Sequence, residues 1–164
     1  MKPLKLILAA AAVLTLAGPA LAQNAVQIDR ATSGADCPHC NLFQASFANA
    51  EIKGRNFAGA RLRQADFSAA VMNHSSFAGA DLRDVNAYGA VFSSASFAGA
   101  DLTHASFVGT WLQNANFSGA RLIGANFSGA DMDHARGLTQ RQLDAACGDV
   151  ATTLPAGLHL RPCA

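Results

Sequence analysis

From Leu42 to Met132, every fifth residue is apolar: Leu42, Phe47, Ile52, Phe57, Leu62, Phe67, Met72 and onward without a break in frame. Of these 19 central positions nine are Phe, and only Ala87 is small. The residue two places before the centre is Ala in 14 cases, and the residue two places after it is Gly in 9. Runs such as Ala58-Gly59-Ala60-Arg61-Leu62 and Ala98-Gly99-Ala100-Asp101-Leu102 show the unit most cleanly. An amphipathic helix repeats every 3.6 residues and a half-buried strand every 2, so a period of five is neither. It calls for a coil whose short sides each turn one large and one small residue inward.

Over Cys40 to His134 the pattern resembles the pentapeptide-repeat family, whose unit is A-(D/N)-L-x-x. The resemblance implies an all-β fold, a right-handed quadrilateral parallel β-helix with four units per coil. Reading every twentieth residue supports four per coil. One wall is then Leu42, Leu62, Leu82, Leu102 and Leu122, and another is Phe57, Phe77, Phe97 and Phe117. At one strand spacing of ~4.8 Å per coil the solenoid is roughly 23 Å long. Ala87 interrupts the wall of Phe47, Phe67, Phe107 and Phe127, while Val85 and Phe92 are larger than their equivalents. Close-packed cores require such compensation, so a filled interior is expected there rather than a ligand-sized hole. Arg55 stands at a small inward position, where it either swings outward or marks an irregular frame.

The regions outside the repeat have their own signals. Lys2 and Lys5 precede the apolar run Leu6 to Ala17, Gly18-Pro19 breaks it, and Ala20-Leu21-Ala22 offers the small-x-small pattern of a cleavage site. Residues 1–22 thus read as a signal peptide, too short for a membrane span, and the chain as an exported, periplasmic or secreted protein without membrane insertion after cleavage. Residues 23–39 read as a flexible lead-in with a cysteine clip. Residues 135–164 read as a C-terminal cap, since an open solenoid end needs one. In that cap Thr139-Gln140-Arg141-Gln142 is a capping box opening a short helix through Cys147, with Gly148 as its stop.

Four cysteines in an exported chain suggest two disulfides. Ends roughly 23 Å apart leave only Cys37–Cys40 and Cys147–Cys163 able to bring Cα atoms within about 7 Å. Cys37-Pro38-His39-Cys40 also resembles the redox motif of periplasmic thiol oxidases, which makes a thiol–disulfide redox protein the alternative from the enzyme class. The motif runs straight into the repeat, however, with no room for the α/β domain that carries it elsewhere.

Composition narrows the function further. Lys and Arg number 12 against 11 Asp and Glu, a balance unlike that of a nucleic-acid binder. The best-known family activity is protection of DNA gyrase by solenoids that resemble B-form DNA in shape and charge. Inside this repeat six basic residues face seven acidic ones, and the leader points out of the cytoplasm, so that reading is the weaker alternative. His74, His104 and His134 recur at a spacing of 30, but that is one and a half coils, so no metal site is expected. No nucleophile, phosphate-loop or zinc-protease motif occurs, and neither a catalytic residue nor a cofactor is expected. Outward positions flank each centre, and there Val71, Val91 and Trp111 fall in successive coils. They form a candidate protein-contact surface, for an unknown partner or for self-association. The sequence reads as a non-catalytic interaction or structural scaffold.

Overall fold

From Leu42 to Phe117 each central residue donates its backbone N–H to a carbonyl 19 residues ahead, and from Arg61 to Arg136 the residue before each centre donates to a carbonyl 21 residues behind, as in Leu42 to Arg61 (2.8 Å) and Arg61 to Cys40 (2.8 Å). The resulting parallel bridges join residues 20 apart, running Asn41, Arg61, Asp81, Asp101, Arg121 along one wall and Glu51, Val71, Val91, Trp111, Asp131 along another. One coil therefore holds four pentapeptides, and the chain is a quadrilateral parallel β-helix. The computed structural model describes residues 19–163. Most of the leader expected over residues 1–22 lies outside the described residues.

The corners explain the five-residue unit. At each one the N–H of the small residue donates to the carbonyl of the preceding centre, as in Ala45 to Leu42 (3.1 Å) and Ala60 to Phe57 (3.0 Å). The residue between them has positive φ, 64° at Gly59 and 58° at His104. That is the third position of a type II turn, which favours Gly and tolerates Asn, Asp and His. It accounts for the Gly column in the sequence. Asn or Asp just before a centre supplies the remaining bond: its side chain accepts the N–H two residues on, as Asn56 does from Ala58 (2.9 Å) and Asp131 from Asp133 (3.0 Å).

Inside, like side chains lie one coil apart. Phe57, Phe77, Phe97 and Phe117 stack with centroids 5.3–5.4 Å apart, and Phe47 stacks on Phe67 at 4.9 Å. Where Ala87 breaks the stack, the ring of Phe92 enters from the adjacent wall. It meets Phe67 edge-on at 5.8 Å and Phe107 at 6.2 Å, the two rings that a Phe at position 87 would have touched. The interior at Ala87 is filled. Arg55 points outward and breaks its corner; the buried Ser75 hydroxyl one coil on accepts the Arg55 N–H (3.2 Å) and donates to the Ile52 carbonyl (3.3 Å).

Three boundaries differ from those expected. The lead-in, expected to be flexible, carries a helix: α1 spans Pro19–Thr32, with Ala31 buried and Ile28 packed against the core. Its end carries a glycine stop signal. Gly34, at φ 84°, closes a Schellman motif with Ala35 N–H to Arg30 (3.2 Å) and Gly34 N–H to Ala31 (3.1 Å). Pairing also begins before Cys40, because Cys37 occupies a central position, fully buried, with its N–H on Asn56 (2.9 Å). At the other end the capping box of Thr139 and Gln142 forms, but α2 covers only Gln140–Leu143. The chain then rejoins the ladder: Gly124 N–H donates to Ala145 and Phe127 N–H to Cys147. Unpaired N–H groups of the last coil compete for those carbonyls and stop the helix before Cys147. Strand β1 (Cys147–Gly148) pairs in parallel with β2 (Arg161–Pro162).

The shared space at Ala87 gives a direct check. Ala87→Phe should destabilise by about 1–3 kcal/mol through overpacking, and adding Phe92→Leu should recover most of that loss. A double-mutant cycle by urea denaturation measures the coupling. Strictly additive losses would show that the two side chains do not share one space.

Candidate contact surface

The bridge column through the mixed wall (Ile52, Met72, Phe92, Leu112, Met132) places Val71, Val91 and Trp111 directly above one another, one residue before their centres. Trp111 keeps its backbone in the ladder, with N–H to Ala90 (2.9 Å) and carbonyl from Phe92 (2.8 Å), while its side chain stands out, 52% exposed. Val71 and Val91 are half-buried. Phe43, Tyr88 and Ile123 are also exposed, but each has at most one large apolar neighbour in its own column. Asn73, Ser93 and Gln113 line the other side of the stripe, and Gln113 donates to Asp131 (2.7 Å).

The position before a centre carries a partial regularity, kept at nine of its 19 occurrences. Nine Asn or Asp residues occupy the position before a centre, and every one accepts the N–H two residues on. Val71, Val91 and Trp111 cannot do so. Ser, Glu or Arg at seven other such positions do not accept it either, and beside Val91 the Ser93 N–H turns to the Asn73 side chain (2.9 Å); what sets this column apart is apolar surface in three consecutive coils.

The cysteines are joined as two local pairs, Cys37 to Cys40 with Cα atoms 5.4 Å apart and Cys147 to Cys163 at 4.9 Å. Cys37 and Cys40 are buried at the first and fourth positions of the first corner, under α1. An attacking thiolate must reach a sulfur in line, an approach that this burial restricts. His74, His104 and His134 occupy exposed corners. Among the described residues no three metal-binding side chains converge, and no helix is long and apolar enough to cross a membrane.

Single side chains that no periodicity announces complete both ends. At the first coil Gln27 accepts the Asn41 N–H and Asp36 the Asn56 N–H (2.9 Å). At the last, Gln142 donates to the carbonyls of Phe117 (3.0 Å) and Ala120 (2.9 Å), and Thr152 to that of Phe127 (2.9 Å). Asp149 accepts the Gly129 N–H (2.8 Å) together with those of Ala151 and the Thr152 hydroxyl. The Gly129 N–H, helped by these neighbours, holds the Asp149 carboxyl below its ordinary value against the opposing effect of desolvation. Asp131 is also lowered: partial burial raises it, but the Asp133 N–H, Thr153 and Gln113 outweigh that. At Asp81 the Arg83 guanidinium is the main cause of the same direction.

Comparison with known proteins follows the same lines. A family model described as pentapeptide repeats matches in 8 copies over residues 56–86, 75–109 and 100–136. Similar solved structures include full-length QnrB1, a plasmid-mediated fluoroquinolone resistance protein (23% identity over 75% of this chain and 78% of that one, TM-score 0.49). Others are a pentapeptide repeat protein from the Arabidopsis thaliana thylakoid lumen (26%, 68% and 68%, TM-score 0.36) and one from Nostoc PCC 7120 (25%, 76% and 94%, TM-score 0.36). No curated protein matches the chain.

The lowered carboxyls set a pH dependence. A folded-state value below the unfolded one, ordinarily near 3.9, contributes stability that is present above that value and lost as pH falls through the folded one. The protein should therefore lose stability below about pH 4. Asp149→Asn keeps the acceptor for Gly129 but not the titration, so its melting temperature should fall less steeply through that range. Identical acid limbs would show that Asp149 is not held ionised by the cap.

Proposed function

We propose, for a chain that belongs to the pentapeptide-repeat family, that the solenoid is an exported, non-catalytic interaction module that docks through Val71, Val91 and Trp111. The observation that carries this reading is the run of three apolar side chains in one column of successive coils, ending in a Trp 52% exposed. Single apolar residues scattered on a surface are ordinary, whereas a contiguous exposed apolar run points to a contact. A half-exposed Trp flanked by aliphatic side chains is the composition found at the cores of contact surfaces.

Export is supported by the leader-like start of the sequence and by two disulfides, which persist in oxidising compartments. The buried Cys37–Cys40 pair suits a clip on the first coil better than a redox centre. A near-neutral repeat suits a protein contact better than mimicry of nucleic acid.

A photo-crosslinking residue at Val91 in the full chain, expressed in cells, tests the reading. It should give discrete adducts, whereas the same residue at Ala98, on the nearly uncharged neighbouring wall, should give none. Trp111→Asn should abolish the adducts and leave thermal stability equal or raised by ~0.5–1.5 kcal/mol, because Asn can accept the Gln113 N–H. Equal labelling from Val91 and Ala98, or adducts that survive Trp111→Asn, would refute the contact face.

A further inference from the structure

We infer that the occupant of this face is a second copy of the chain, docked antiparallel; the inference rests on the reading of the stripe as a contact face. The face is polarised along the solenoid axis. Next to its N-terminal end lie Lys53 and Arg55, both exposed, with Glu51 in contact with Lys53. Arg55 reaches solvent there only because its corner is broken and Ser75 has taken its backbone bonds. At the C-terminal end lie Asp131 and Asp133, with His134 beside Asp133 (2.8 Å) and Arg136 around the corner on the next wall. Between the two ends stands the apolar stripe.

A two-fold axis across the middle of the wall, at Val91, is the arrangement these features fit. It sets Val91 against Val91 of the other copy and Val71 against Trp111, so apolar meets apolar along the whole stripe. The same operation brings Lys53 and Arg55 of each copy over Asp131 and Asp133 of the other, twice by symmetry. Glu51 opposes this at each end, but it is already engaged by Lys53. Parallel docking does the opposite. It brings like net charge together at each end, with Asp131 over Asp133 although Glu51 then faces Lys53, and sets Val71 and Trp111 over Asn73 and Gln113. Charge thus selects the direction, as it does at other interfaces. One wall of this length is smaller than the ~800 Å² per partner of a standard interface, so the dimer is a weak one.

Sedimentation velocity on the purified full chain, from tens of micromolar to about 1 mM, tests this. The wild type should shift towards dimer with concentration, and added salt should reverse the shift. Lys53→Glu with Arg55→Glu should weaken association about tenfold or more, as should Asp131→Asn with Asp133→Lys. An equimolar mixture of the two variants should associate again, because antiparallel docking sets the reversed charges of one against those of the other. Melting curves check that both variants fold; the salt dependence of the wild type needs no variant. A wild type that stays monomeric at about 1 mM, association unaffected by salt, or a mixture that stays monomeric would overturn the second copy as occupant. Adducts from Val91 to a different protein, with the pure chain monomeric, would keep the contact face and remove this occupant. No adducts and no association would remove both.

Discussion

Everything in this molecule follows from the need of each backbone N–H at an apolar centre, from Leu42 to Phe117, to find a carbonyl 19 residues ahead. Buried backbone groups must be paired. Once the chain turns every five residues, the only partner within reach is the next coil. A register of 20 then puts each side chain over its own equivalent, so Phe stacks on Phe, Leu on Leu and Ala on Ala. Shape matching becomes a local problem between neighbouring coils. Ala87 and Phe92 show how it is solved when one coil departs: the missing ring is supplied from the adjacent wall. The same need makes the ends demanding, because a coil without a neighbour has groups with no ladder partner. Gln27 and Asp36 at one end, and Gln142, Asp149 and Thr152 at the other, act as fragments of the coil that is not there.

The repeat and its interior were legible because periodicity accumulates over 19 units, and the wall of Leu42 through Leu122 appears by counting alone. Arg55 stood out for the same reason. The ends were not legible, because they depend on single residues. Nothing about Asp36 or Thr152 marks it before the coil it serves is placed, and the stretch over α1 has no repeat from which to depart. Gly34 after Arg30 was an available stop signal, but only once a helix is suspected. The early end of α2 follows from competition: its local sequence favours helix, and the last coil claims the Ala145 and Cys147 carbonyls.

The contact stripe was half legible. Spacing alone brings Val71, Val91 and Trp111 into one column. What the sequence hid is the bond their neighbours make, since the role of Asn or Asp before a centre shows only when its side chain is seen accepting the N–H two residues on. Beside Val91 the Ser93 N–H turns instead to the Asn73 side chain, so the stripe exposes apolar surface while keeping part of its turn bonding. A contiguous apolar run of that kind is expected where a surface serves a partner.

The measurement that tests this account most directly is the fluorescence of Trp111, the only tryptophan in the chain. Its side chain stands outside the ladder at the exposed end of the stripe, so in dilute solution its emission should be red-shifted and readily quenched by acrylamide. Blue-shifted emission that acrylamide does not reach in the dilute monomer would place Trp111 inside, contradict the 20-residue register on that wall, and remove the contact surface with it.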